Sequence, residues 1–133
     1  MYESTKITDA SNAFTNSNVL DATDVFKNNT IVNLSNCFSG SKVTTLPSIT
    51  VTADANLSNS FSSSNIESID ITTLDEPTLN MSGTFFLCQN LKSIPTINGN
   101  YPWTYSGITN YSGCFKGINT DVPNYDQIPD TWK

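Results

Sequence analysis

The chain has no histidine and no arginine, and all six of its basic residues are lysine. Without histidine there is no Ser/His or Cys/His pairing for nucleophilic catalysis, and no phosphate-binding glycine loop stands in for it. Without arginine, the bidentate reading of bases is lost, and a net charge of −6 repels phosphate, so nucleic acid is excluded as a partner. No basic amphipathic stretch faces an anionic membrane, and no run approaches the roughly 18 apolar residues of a membrane span. Cysteine is scarce and odd in number: Cys37, Cys88 and Cys114 do not make a disulfide framework. Charged residues are only 14% of the chain. The small acidic groups Asp21/Asp24, Asp70/Asp75/Glu76 and Asp121/Asp126/Asp130 have no EF-hand or calcium-repeat spacing and read as solvated loop charge. No metal and no cofactor is expected, and a carboxylate pair for glycoside hydrolysis would need a cleft that a narrow rod does not offer.

What the chain has in abundance is Asn, Ser and Thr, 17, 17 and 18 of them in 133 residues. That composition alone would read as disorder, but the apolar residues recur in register. A short phrase returns five times: Asp9-Ala10-Ser11-Asn12-Ala13-Phe14, Asn33-Leu34-Ser35-Asn36-Cys37-Phe38, Asn56-Leu57-Ser58-Asn59-Ser60-Phe61, Asn80-Met81-Ser82-Gly83-Thr84-Phe85 and Asn110-Tyr111-Ser112-Gly113-Cys114-Phe115. Its phenylalanines fall 24, 23, 24 and 30 residues apart. A period in the twenties marks a solenoid, whose units bury their apolar faces only by stacking.

The apolar pair in each phrase is spaced i, i+4, which predicts one helical turn capped by Asp9, Asn33, Asn56, Asn80 or Asn110. The same Asn residues, in Asn-x-Ser triplets, are read as caps and not as glycosylation sites. A second apolar pattern follows each phrase, Val19/Ala22/Val25, Val43/Leu46/Ile49, Ile66/Ile69/Ile71 and Leu91/Ile94/Ile97, and its β-branched stretches predict a short strand. Pro47 and Pro95 are placed just after the strands, where a missing amide does no harm. The expected fold is therefore one α/β solenoid domain over 1–133, with repeats beginning near 9, 33, 56, 80 and 110. Each of its five turns holds a short parallel strand and one helical turn. Phe14, Phe38, Phe61, Phe85 and Phe115 form its core ladder, and Cys37 and Cys114 fill space beside it.

Two departures from the period point to function. The last spacing is six residues longer than its predecessor, and the excess at 98–107 places Tyr101, Trp103 and Tyr105 between two glycines. Such aromatics stack on sugar rings or anchor protein interfaces, so these three are the candidate ligand-binding residues; the competing reading is that the loop folds back on the flank or meets a neighbouring subunit. The Pro-rich segment at 119–133, with Tyr125 and Trp132, is the expected C-terminal cap. No comparable cap is legible at the N-terminus, where 1–6 are polar and unlike a secretory signal. This predicts a preceding domain or a partner docked there.

The phrase and the leucine-rich pattern after it resemble the BspA-like leucine-rich repeats of bacterial surface proteins and related phage proteins. The stretch Met81-Ser82-Gly83-Thr84-Phe85-Phe86-Leu87-Cys88-Gln89-Asn90-Leu91-Lys92-Ser93-Ile94-Pro95 carries the resemblance best. The unit from Phe115 to Trp132 looks like a typical terminal one, and the first copy departs from the pattern with Asp9 and Ala10. The resemblance implies a non-catalytic module, extracellular, on a cell surface or on a virion, which adheres to a protein or glycan of a host or neighbouring cell. The alternative it allows is a phage fibre or decoration subunit that contacts sister chains in virion assembly.

Overall fold

The computed structural model describes residues 7–133. The hexapeptide 1–6 lies outside the described residues. Each phrase closes a six-residue block of turns, at 11–16, 35–40, 58–63, 82–87 and 112–117. Within the second block Cys37, Ser39 and Ser41 donate to the carbonyls three residues back, at 3.0–3.3 Å. The amides in between, of Leu34, Asn36, Phe38 and Gly40, point out of the block and donate to Asn56, Ser58, Ser60 and Ser62 of the next one at 2.8–3.0 Å. Amides thus alternate between closing a turn and joining two levels.

This corrects the expected helical turn. Every block carries two left-handed residues four apart, Asn12/Asn16, Asn36/Gly40, Asn59/Ser63, Gly83/Leu87 and Gly113/Gly117, with φ between 55° and 79°. A left-handed residue costs a non-glycine side chain roughly 1–2 kcal/mol, which Asn and Gly tolerate best, and a helix cannot propagate through it. The i, i+4 apolar spacing is real, but two successive tight turns produce it. Asp9, Asn33, Asn56 and Asn80 accordingly make Asx turns: each side-chain oxygen accepts the amide two residues on, at 3.0–3.1 Å. The main-chain carbonyl of Asn110 accepts the Met81 amide at 2.8 Å, as those of Asn33, Asn56 and Asn80 accept the amides of Ala10, Leu34 and Leu57.

Between the blocks runs a small open parallel sheet of four strands in chain order: β1 (Ile31–Asn33), β2 (Thr45–Asn56), β3 (Ser68–Thr72) and β4 (Thr96–Ile97). Isolated parallel bridges, Asp9 to Asn33, Asp21 to Thr45, Asn56 to Asn80 and Asn80 to Asn110, extend the pairing beyond the strands. Strand β2 is longer than the short strand expected, and Pro47 lies inside it. The register against β3 slips there, between Thr45 and Ser48. Proline has no amide to give, so the ladder bulges around it.

Phe38, Phe61, Phe85 and Phe115 are buried, their rings stacked at 5.4, 5.6 and 5.6 Å with planes within 8° of parallel. Phe14 continues the column, 5.2 Å from Phe38, and is half-buried; among the described residues no ring stacks on its other face. Beside the rings, Ser60 and Thr84 are buried polar residues whose hydroxyls donate to the Leu57 carbonyl at 2.7 and 3.0 Å. Cys37 and Cys114 take the equivalent place in their own levels. Burial pushes the Cys37 and Cys88 thiols up to about 12 and raises Cys114 further still. Thiolate is the reacting species, so none of the three is expected to react with a disulfide reagent at pH 8 in the folded protein; all three should react once denaturant is added. Fast native labelling of even one thiol would contradict the packing described.

Candidate functional site

The first level holds a sixth turn block that the phrase spacing conceals. Residues 23–28 form it, closed by Val25 donating to Ala22 at 3.0 Å and Asn29 donating to Phe26 at 3.0 Å, with Asn28 left-handed at φ 64°. Asp21 starts it as Asp9 starts the first. Its carboxylate accepts the hydroxyl and the amide of Thr23, which hold it below the usual carboxylate range. The expectation that Val19, Ala22 and Val25 belong to a strand is corrected here: this level swings out as a loop before rejoining the sheet at Ile31. Phe26 is buried and meets Phe14 and Phe38 edge-on at 6.3 and 6.1 Å. The signal was present in the sequence, since Asp21-Ala22-Thr23-Asp24-Val25-Phe26 repeats Asp9-Ala10-Ser11-Asn12-Ala13-Phe14, but only twelve residues on, half the period.

Between this block and β2 lies a groove of about 520 Å³. Phe26 and Ile49 give it apolar surface, Ser48 and Thr50 line it from β2, and Asp24 and Lys27 contribute one carboxylate and one ammonium. Asn29, also in the lining, is fixed in orientation: its Oδ1 accepts the Ile7 amide at 2.8 Å and its Nδ2 donates to the Lys27 carbonyl at 3.0 Å. Such a surface can hold a hydroxyl- or amide-rich ligand by hydrogen bonds.

The aromatic insertion is placed elsewhere and differently from an open ligand arm. Pro102–Thr104 is a 3₁₀ turn. Tyr101 stacks on Trp103 at 4.6 Å, and Trp103 meets Phe115 and Trp132 edge-on at 6.2 and 6.5 Å. The hydroxyls are engaged within the chain: Tyr105 donates to the Ile97 carbonyl at 2.8 Å, and Asn124 donates to the Tyr101 oxygen at 2.8 Å. All three rings are half-buried against the core. The C-terminal segment closes the same end. The Trp132 ring lies on Tyr111 at 4.4 Å, and its carbonyl accepts the Phe115 amide at 2.8 Å.

Trp103 therefore fastens the insertion to the last level. Trp103→Ala should lower the unfolding free energy by about 2 kcal/mol, less than the 3–5 of a fully buried ring because half its surface stays wet. Urea titration checks this, and an unchanged midpoint would mean that the loop is a free arm.

Among the described residues no group of three or more His, Cys, Asp or Glu is placed to hold a metal ion. No helix of the described residues is long and apolar enough to cross a membrane. Comparison with protein-family models, with curated proteins and with solved structures gives no match.

Proposed function

We propose that the chain is a BspA-like leucine-rich-repeat solenoid of five turns and serves as a non-catalytic binding module on a bacterial cell surface or phage virion, where it holds a glycan or protein. The repeat reading is supported by parallel pairing from level to level and by one stacked phenylalanine per period. The observation that carries the binding reading is the groove beside β2, where apolar surface and hydroxyls converge with the Asp24 and Lys27 charges. The insertion at 98–107, with Tyr101, Trp103 and Tyr105, then acts as a cover for the last level, and the ligand sits at the opposite end of the stack.

Binding to a panel of bacterial and host polysaccharides tests this. Loss of one charged hydrogen bond is worth roughly 1.5–3 kcal/mol, so Lys27→Ala should weaken binding by about tenfold or more while Trp103→Ala leaves it unchanged. The opposite pattern would return the site to the insertion. Equal binding by both variants and the parent would remove both surfaces.

A second reading, a structural subunit of a virion that mainly contacts sister chains, is favoured by apolar side chains left on the surface. Leu74 is 85% exposed and Leu20 60%. Sedimentation over a range of concentrations separates the readings, a strict monomer arguing against assembly of the chain as it stands.

A further inference from the structure

The backbone hydrogen bonds that join the turn blocks all run one way. At each of the four junctions, four amides of one level donate to four carbonyls of the next: Ala10, Asn12, Phe14 and Asn16 to Asn33, Ser35, Cys37 and Ser39 at the first, and likewise to the last. The column of turn blocks is consequently polar, with an acceptor edge at its first level and a donor edge at its last, whereas on the sheet side later levels donate to earlier ones, as Val32 does to Thr8 and Thr44 to Leu20. The carbonyls of Asp9, Ser11, Ala13 and Thr15 hold the places that are filled in every later level, and among the described residues they accept no hydrogen bond. At the far edge the Tyr111, Gly113 and Gly117 amides hold donor places that are used in every earlier level. Among the described residues only the Phe115 amide is taken there, by the Trp132 carbonyl.

An edge made of carbonyls cannot pair with its own kind, because neither side brings a donor. It fits a row of amides at two-residue spacing, which is what the last level of the same chain presents. The side chains agree with that match. Phe115 would stack on the face of Phe14 that no described ring covers, extending a column already spaced at 5.2–5.6 Å.

We propose that the edge formed by Asp9, Ser11, Ala13 and Thr15 is a docking surface for the last level of a second copy of this chain, and that Trp132 is the plug that keeps copies from adding end to end. Head-to-tail contacts of this kind do not close on themselves and build open rods. The inference stands on the hydrogen-bond ladder and is independent of what the groove beside β2 binds.

The test is the full-length Trp132→Ala protein, followed by sedimentation velocity with circular dichroism as the check on folding. It should form a concentration-dependent series of oligomers, and the parent protein should remain monomeric. Parent chains offer the acceptor edge while the Trp132 ring lies over their donor edge, so adding them in small amounts should terminate growth and shorten the series. A folded Trp132→Ala protein that stays monomeric, or one whose oligomers ignore the parent, overturns the proposal. Should that variant not fold, a chain with residues 33–55 duplicated ahead of Asp9 and Trp132 intact asks the same of the edge. A thermal midpoint raised by several degrees supports an edge that takes a further level, since stability in such arrays adds junction by junction, and an unchanged or lowered midpoint refutes it.

Discussion

Replacing Phe61 by Ala should lower the unfolding free energy by roughly 3–5 kcal/mol, as for other buried aromatics truncated to Ala, which is a large share of the 5–15 kcal/mol of an ordinary domain. Phe61 is the middle ring of the column, packed face to face with Phe38 at 5.4 Å and Phe85 at 5.6 Å, and it is 1% exposed. Its backbone amide donates to Thr84 and its carbonyl accepts from the Cys88 thiol and the Ser64 amide, so the site cannot collapse onto the void without disturbing its own turn and the junction with the following level. The same change at Phe14 should cost less than half as much, because that ring is only half-buried. Chemical denaturation of the two variants side by side gives both numbers. A loss under about 1 kcal/mol at Phe61 would mean that the ring column does not hold the levels together.

The second large effect is a sign, and it separates a turn block from a helical turn. In a helix Gly83→Ala would stabilise by roughly 1 kcal/mol, since Gly is the weaker helix former. Here Gly83 has φ 61°, and a β-carbon added to it would run into Oδ1 of Asn59 in the level before. Gly83→Ala should therefore destabilise by about 2 kcal/mol, from the left-handed backbone together with the displaced Asn59 side chain, and Gly83→Val by more. The same holds for Gly40, whose added β-carbon would meet Oδ1 of Asn16. A thermal midpoint raised by Gly83→Ala would restore the helical turn.

Much of the fold was legible because its largest free-energy term is periodic. A bulky apolar residue every 23 or 24 positions can be buried only by stacking, and the phenylalanine column follows from that spacing. The turn blocks were not legible, since an i, i+4 apolar pair is produced equally by one helical turn and by two tight turns in series. The deciding feature was the Asn or Gly four places into each phrase, a residue suited to the left-handed region, which the cap reading left unused. The second block of the first level was missed for a related reason. Phe26 repeats the phrase at half the period, and a search tuned to the full period passes over it.

The candidate site shows the same division. Aromatic content marked 98–107 as a place to bind, but aromatic content does not say which way a ring turns. The stack of Tyr101 on Trp103, the contacts of Trp103 with Phe115 and Trp132, and the bond from Tyr105 to Ile97 commit that loop to the last level. The groove beside β2 carries no sequence signature, because Asp24 and Lys27 meet Ser48 and Thr50 only through the swing of the first level.

By itself the amino-acid order determined that bulky apolar residues recur at a fixed period and that the phenylalanines at that spacing lie inside. These depend on composition and spacing, which act locally and repeat. Only the tertiary structure decided that every second amide of each block points toward the following level, that one end is plugged by Trp132 while the other presents carbonyls, and that a groove opens beside β2. Those features come from the direction of hydrogen bonds and from contacts between residues tens of positions apart, and no local preference encodes them.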